Sequence, residues 1–112
     1  MNEWEKTTKE KLKTALKELG NTENKIVATL EKKKIIGQSG DATDCPVANY
    51  LKKIFKSAEI FVDSSQVSVS TAKGCVEVVP PKAVSNFVGT FDEDEHYKHL
   101  NNLSQQVFAQ QS

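Results

Sequence analysis

The spacing of the apolar residues changes once along this chain, near residue 57, and that change governs what it can fold into. Before it, apolar residues recur every three or four positions, the period of a helix with one buried face. After it, Val67 and Val69 alternate with Ser68 and Ser70, and Cys75-Val76-Glu77-Val78-Val79 is rich in β-branched residues, which suits strands. Helices gathered in one half and strands in the next predict an α+β domain. At 112 residues the chain is the size of one domain and buries a core without needing disulfides or metal.

The first segment, Glu3 to Leu19, reads as a helix. Trp4, Leu12, Ala15, Leu16 and Leu19 form its stripe, and Gly20 stops it. Thr22 is placed to cap a second helix, whose face holds Ile26, Val27 and Leu30, with the stem of Lys34 continuing it. Ile35 and Ile36 return the chain to the core and Gly37 ends the stretch. A third helix starts at Cys45-Pro46, with Asp44 or Cys45 as cap and Pro46 in the first turn. Val47, Tyr50, Leu51, Ile54 and Phe55 give it the sharpest amphipathic pattern in the chain. Ile60-Phe61-Val62 is a short apolar run, and a hairpin turns at Thr71 to Gly74. Pro80-Pro81 leads into a fourth helix carrying Val84, Phe87, Val88 and Phe91. Asp92 to Glu95 would cap a final helix with Tyr97, Leu100, Leu103 and Val107 as its apolar side. The expected architecture is therefore a three-helix unit, a small antiparallel hairpin or short sheet, and one or two C-terminal helices. It forms a single domain over residues 1–103 with a frayed tail at 104–112.

Charge narrows the function classes. Residues 1–56 hold twelve Lys against eight carboxylates, and residues 57–112 hold three against seven, although the whole chain is neutral. A chain divided in this way suits an oppositely charged protein partner or a second copy of itself; solvated helix faces explain the same lysines more simply. All fifteen cations are Lys. Without Arg, the side chain that grips guanine and phosphate in bidentate fashion, sequence-specific nucleic-acid reading is disfavoured. Nonspecific phosphate contact through the Lys-rich half is the alternative. The second and third helices also lack the tight connection of a helix-turn-helix unit: Lys34 to Asp44 spans about ten residues against a usual three or four. No apolar run is long enough for a membrane helix. The charged N-terminus, with no apolar stretch, leads to the expectation of a cytoplasmic chain with free thiols.

The segment from Gly37 to Cys45 is the one that looks shaped for more than packing. It is polar, contains Gly37 and Gly40, and ends at a helix N-terminus, where free amides hold anions in phosphate-binding loops. The spacing is not that of such a loop, and Asp41 and Asp44 would repel phosphate. The simpler expectation is that both glycines take positive φ while both aspartates bond to local amides. Cys45 sits where a thiol pKa falls, but Asp44 opposes thiolate formation and neither His96 nor His99 is tied to it. Packing therefore explains Cys45 better than catalysis, and Cys75, in a strand, is expected to act as a core hydrophobe. Two cysteines thirty residues apart and one close His pair make a poor zinc set, and Asp92 to Glu95 lack the ligand pattern of a calcium loop. Nothing here calls for a cofactor, and no catalytic constellation points to an enzyme.

Leu16, Leu19-Gly20, Thr22, Val27-Ala28, Leu30, Ile36-Gly37, Gly40-Asp41 and Cys45-Pro46-Val47-Ala48-Asn49-Tyr50-Leu51 together resemble a pattern in small uncharacterised bacterial proteins. In that pattern a helical hairpin, a Gly-Asp loop and a Cys-Pro-x-Ala-x-Tyr-Leu helix precede a β-hairpin and a Pro-started helix. The resemblance spans roughly residues 12–100. It implies a bacterial, cytosolic protein and carries no activity with it. The resulting expectation is a non-enzymatic protein-interaction domain. Its candidate surface comprises Gly40, Asp41, Asp44, Cys45, Asn49, Lys52 and Lys53, and a Cys45-dependent enzyme or redox sensor is the more remote alternative.

Overall fold

Asn2 opens the first helix by a reciprocal cap: its side-chain oxygen accepts from the Glu5 amide at 2.7 Å, and the Glu5 carboxylate accepts from the Asn2 amide at 3.4 Å. The computed structural model describes residues 2–38 and 41–93. In order these form α1 (Glu3–Leu19), α2 (Glu23–Lys32), α3 (Pro46–Ile54), β1 (Glu59–Val62), β2 (Val67–Thr71), β3 (Gly74–Val78) and α4 (Lys82–Glu93). The α+β arrangement expected from the change of period is the one observed.

The three strands make an antiparallel meander, β1-β2-β3. Ile60 pairs with Val69 and Val69 with Val76, while Val62 pairs with Val67 and Val67 with Val78. All six side chains therefore share one face and are buried. Helices α1 and α3 pack on the sheet, α1 along β3 and α3 along β1, while α2 touches α1 and α4. Leu12, Leu16, Leu19, Ile26, Leu30, Val47, Leu51 and Phe87 fill the space between them. In α4 the rings of Phe87 and Phe91 stack with centroids 6.0 Å apart. The Ser85 hydroxyl donates to the Ser64 carbonyl and ties that helix to the β1–β2 turn.

Helix α2 departs from expectation at its end. It stops at Lys32, and Lys34 takes a left-handed conformation at φ 57°. The Lys34 amide donates to the Glu31 carbonyl and the Ile35 amide to the Leu30 carbonyl, the paired bonds of a Schellman cap. Lys34 is thus an exposed cap residue rather than an extension of the apolar face, and Gly37 does not end the helix. Burial of Ile35 against the core holds the turn closed. Thr22 and Cys45 cap α2 and α3, and Pro46 occupies the first turn of α3.

Cys75 corrects a second expectation. It is exposed, not a core residue. Strand side chains alternate between faces, so burying Val76 and Val78 turns Cys75 and Glu77 outward. Phe61 lies on the same outer face, opposite Ser68, and is 41% exposed. Asp92 and Glu93 belong to α4 rather than to the start of another helix. The final helix expected around Tyr97 to Val107, and the tail at 104–112, lie outside the described residues.

Candidate functional site

The loop ahead of α3 is closed by its own main chain. The Gln38 amide donates to the Asp44 carbonyl at 2.8 Å, and the Asp44 amide to the Asp41 carbonyl at 3.2 Å. Inside this ring an Asp-x-Thr turn forms, in which one Asp41 carboxylate oxygen accepts from the Thr43 amide at 2.9 Å and from its hydroxyl at 2.8 Å. Those two Thr43 bonds hold the Asp41 carboxyl below its ordinary value of 3.8; desolvation opposes them, and the Asp44 amide and the Lys52 ammonium add smaller lowering effects. The carbonyl of Ala42 accepts from the Val62 amide at 2.8 Å, which fastens the loop to the end of β1.

Asn49 braces the loop from α3. Its side-chain amide donates to the Ile36 carbonyl at 2.8 Å and to the Asp44 carbonyl at 3.3 Å. Gly37 makes the approach possible. A Cβ at that position would lie 2.6 Å from the Asp44 carbonyl oxygen, and nearer still to the Cys45 carbonyl carbon and the Pro46 nitrogen. The expected positive φ is absent at Gly37; the glycine is required by proximity of two backbone segments rather than by its dihedral angles. Gly40, the other glycine of the loop, lies outside the described residues.

Cys45 is 3% exposed, and its sulfur accepts from the Ala48 amide at 3.4 Å as the N-cap of α3. The thiol thus occupies the position of a capping hydroxyl or carboxylate. His96 and His99 lie outside the described residues. Among the described residues, no group of three His, Cys, Asp or Glu side chains is placed to hold a metal ion. Also among the described residues, no helix is long and apolar enough to cross a membrane.

Of the sequence-derived candidates, Asp41, Asp44, Cys45 and Asn49 come together in this braced loop, while Lys52 and Lys53 stand exposed on the last turn of α3, away from the helix start that the loop leads into. Asp41 binds local groups through its side chain as expected, whereas the bonds at Asp44 run through its main chain. Sequence reasoning missed a second concavity at the opposite end of α3, between α1, the α3–β1 corner and the end of β2. Its one legible trace was Thr8, a hydroxyl residue midway between Trp4 and Leu12 on the apolar stripe of α1. In comparisons with family models, with characterised proteins and with solved structures, the chain matches none.

Proposed function

We propose that this protein is a small non-enzymatic domain of the bacterial cytosol that binds another protein through the 37–45 loop and the Lys52–Lys53 edge of α3. The observation that supports this reading is the internal bracing of the loop. Asn49, Asp41 and the Ala42–Val62 bond use the loop's own polar groups to hold its shape. Loop arms held in place before docking lose little conformational freedom on binding, which favours recognition. Lys52 and Lys53, exposed on the last turn of α3 with Lys52 near enough to act on the Asp41 carboxyl, select an acidic partner surface and speed the encounter. The acid-rich second half of a further copy has the same chemistry.

The test is capture by the tagged chain from bacterial lysate, with and without nuclease, followed by titration of the purified captured protein. Binding of a defined protein that survives nuclease and is lost on Lys52→Glu with Lys53→Glu supports the reading. Capture unaffected by that double reversal at moderate salt rejects the surface. Capture abolished by nuclease, with affinity falling steeply as salt rises, replaces it with nucleic-acid binding through the Lys-rich half.

A further inference from the structure

The groove that the sequence did not reveal lies about the length of α3 away from the braced loop, roughly 13 Å for nine residues at 1.5 Å each. It has a volume of ≈ 390 Å³, within the range of about 300–1,000 Å³ typical of small-ligand pockets. Trp4 on α1 and Phe55 at the end of α3 supply aromatic walls, and Ile54, Ala58 and Val69 supply aliphatic ones. The Trp4 wall is backed by the hairpin. Gly74 sits at φ 145°, and a Cβ there would meet the Trp4 ring at 3.4 Å.

The polar lining is one-sided in charge. Lys11 and Lys56 border the groove, Thr7, Thr8 and Thr71 add hydroxyls, and no carboxylate is among its lining residues. The Lys11 ammonium sits 5.1 Å from the centroid of the Phe55 ring, so a cation is stationed directly over an aromatic wall. Thr8, at 7% exposure, is the buried polar side chain of the described residues, on a helix face otherwise given to the core. It is among the residues that line the groove.

An occupant that fits must bring an apolar ring to lie against Trp4 and a negative charge to meet Lys56 and Lys11, whose ammonium covers the Phe55 ring. We propose that this groove is a binding site for a small aryl carboxylate, with the ring against Trp4 and the carboxylate at the lysine rim. The site shares no residue with the 37–45 loop or with Lys52 and Lys53, although those lysines precede its lining residues on α3, and its test is separate.

Trp4 is the chain's single tryptophan, so its emission, excited at the red edge, reports on the groove without a label. The experiment titrates the full chain with 3-phenylpropionate, whose phenyl ring does not absorb there, and with its uncharged amide. The site predicts a saturable change in Trp4 emission with the acid. The midpoint should shift to at least tenfold higher concentration with the amide, and likewise for the acid with the Lys11→Gln, Lys56→Gln variant. Both substitutions are at exposed positions, and an unchanged thermal midpoint of the variant establishes that its fold is intact. Absence of a saturable response to the acid up to the millimolar range overturns the proposal. So does an equal response to acid and amide, or an equal response of the folded variant and the parent chain.

Discussion

The side-chain amide of Asn49 donates to the main-chain carbonyl of Ile36 at 2.8 Å, across thirteen positions of sequence, and thereby fixes the loop that separates α2 from α3. The same nitrogen reaches the Asp44 carbonyl, so one residue joins both arms of the loop to the helix behind it. Asn49→Ala should destabilise the fold by about 1–3 kcal/mol, the cost of leaving part-buried carbonyls without a donor. Asn49→Asp should be worse, because a carboxylate facing two carbonyl oxygens repels rather than donates. Denaturant midpoints give the order of the two variants, and hydrogen exchange at the Gln38 amide should accelerate in both.

Gly37 and Gly89 should respond to alanine with opposite signs. A methyl at Gly37 strikes backbone atoms of Asp44, Cys45 and Pro46, which cannot rotate aside, and the cost should be about 3 kcal/mol. At Gly89, within α4, a Cβ meets nothing within 4 Å. There alanine should stabilise by about 0.5–1 kcal/mol through helix propensity. Thermal melts of the two variants measure both effects.

Lys34 holds a left-handed conformation that costs a side-chain-bearing residue about 1 kcal/mol relative to glycine. Lys34→Gly should therefore raise stability by a fraction of that amount, since glycine also loses more freedom on folding. Lys34→Val should lower it, because a β-branched side chain tolerates this conformation worst. Paired urea titrations compare the three chains.

The two thiols should separate by rate. Cys75 is exposed on the outer face of the sheet and Cys45 is buried as a helix cap. A chromogenic disulfide reagent should modify one thiol rapidly and the other only as the fold opens. Cys75→Ser should abolish the fast phase and leave the slow one; a fast phase that survives this substitution would show Cys45 to be accessible. Cys45→Ser should retain a cap, and Cys45→Ala should cost about 1 kcal/mol more than Cys45→Ser.

Stability should fall on acidification through two aspartates. Bonds from Thr43 at Asp41, and from Ser65 and Gln66 at Asp63, hold both carboxyls below their ordinary value of 3.8. In that window the unfolded chain binds more protons than the folded one. The contribution is therefore complete above about pH 4 and is lost as pH falls through the lowered folded values. Asp41→Asn and Asp63→Asn should each flatten the acid limb of a plot of stability against pH and leave its slope near neutrality unchanged.

What the sequence by itself determined was everything carried by neighbours along the chain. Helical spacing placed α1 and α3, Thr22 and Cys45-Pro46 marked two helix starts, and alternation with a turn at Thr71 to Gly74 placed β2 and β3. These features depend on contacts within a helical turn or across a tight reversal, so a short window contains their causes. The orientation of Cys75 was also legible, because Glu77 shares its parity and a lone carboxylate has no place in the core. Weighing the thiol's apolar character alone hid this. Only the tertiary structure decided the contact that requires Gly37, the brace at Asn49 and the groove between Trp4 and Phe55. Each joins segments distant in sequence, as Val62 does with Ala42 and Trp4 with Gly74. Residue type and spacing cannot specify such contacts, because they exist only after α1, α3 and the sheet have packed together.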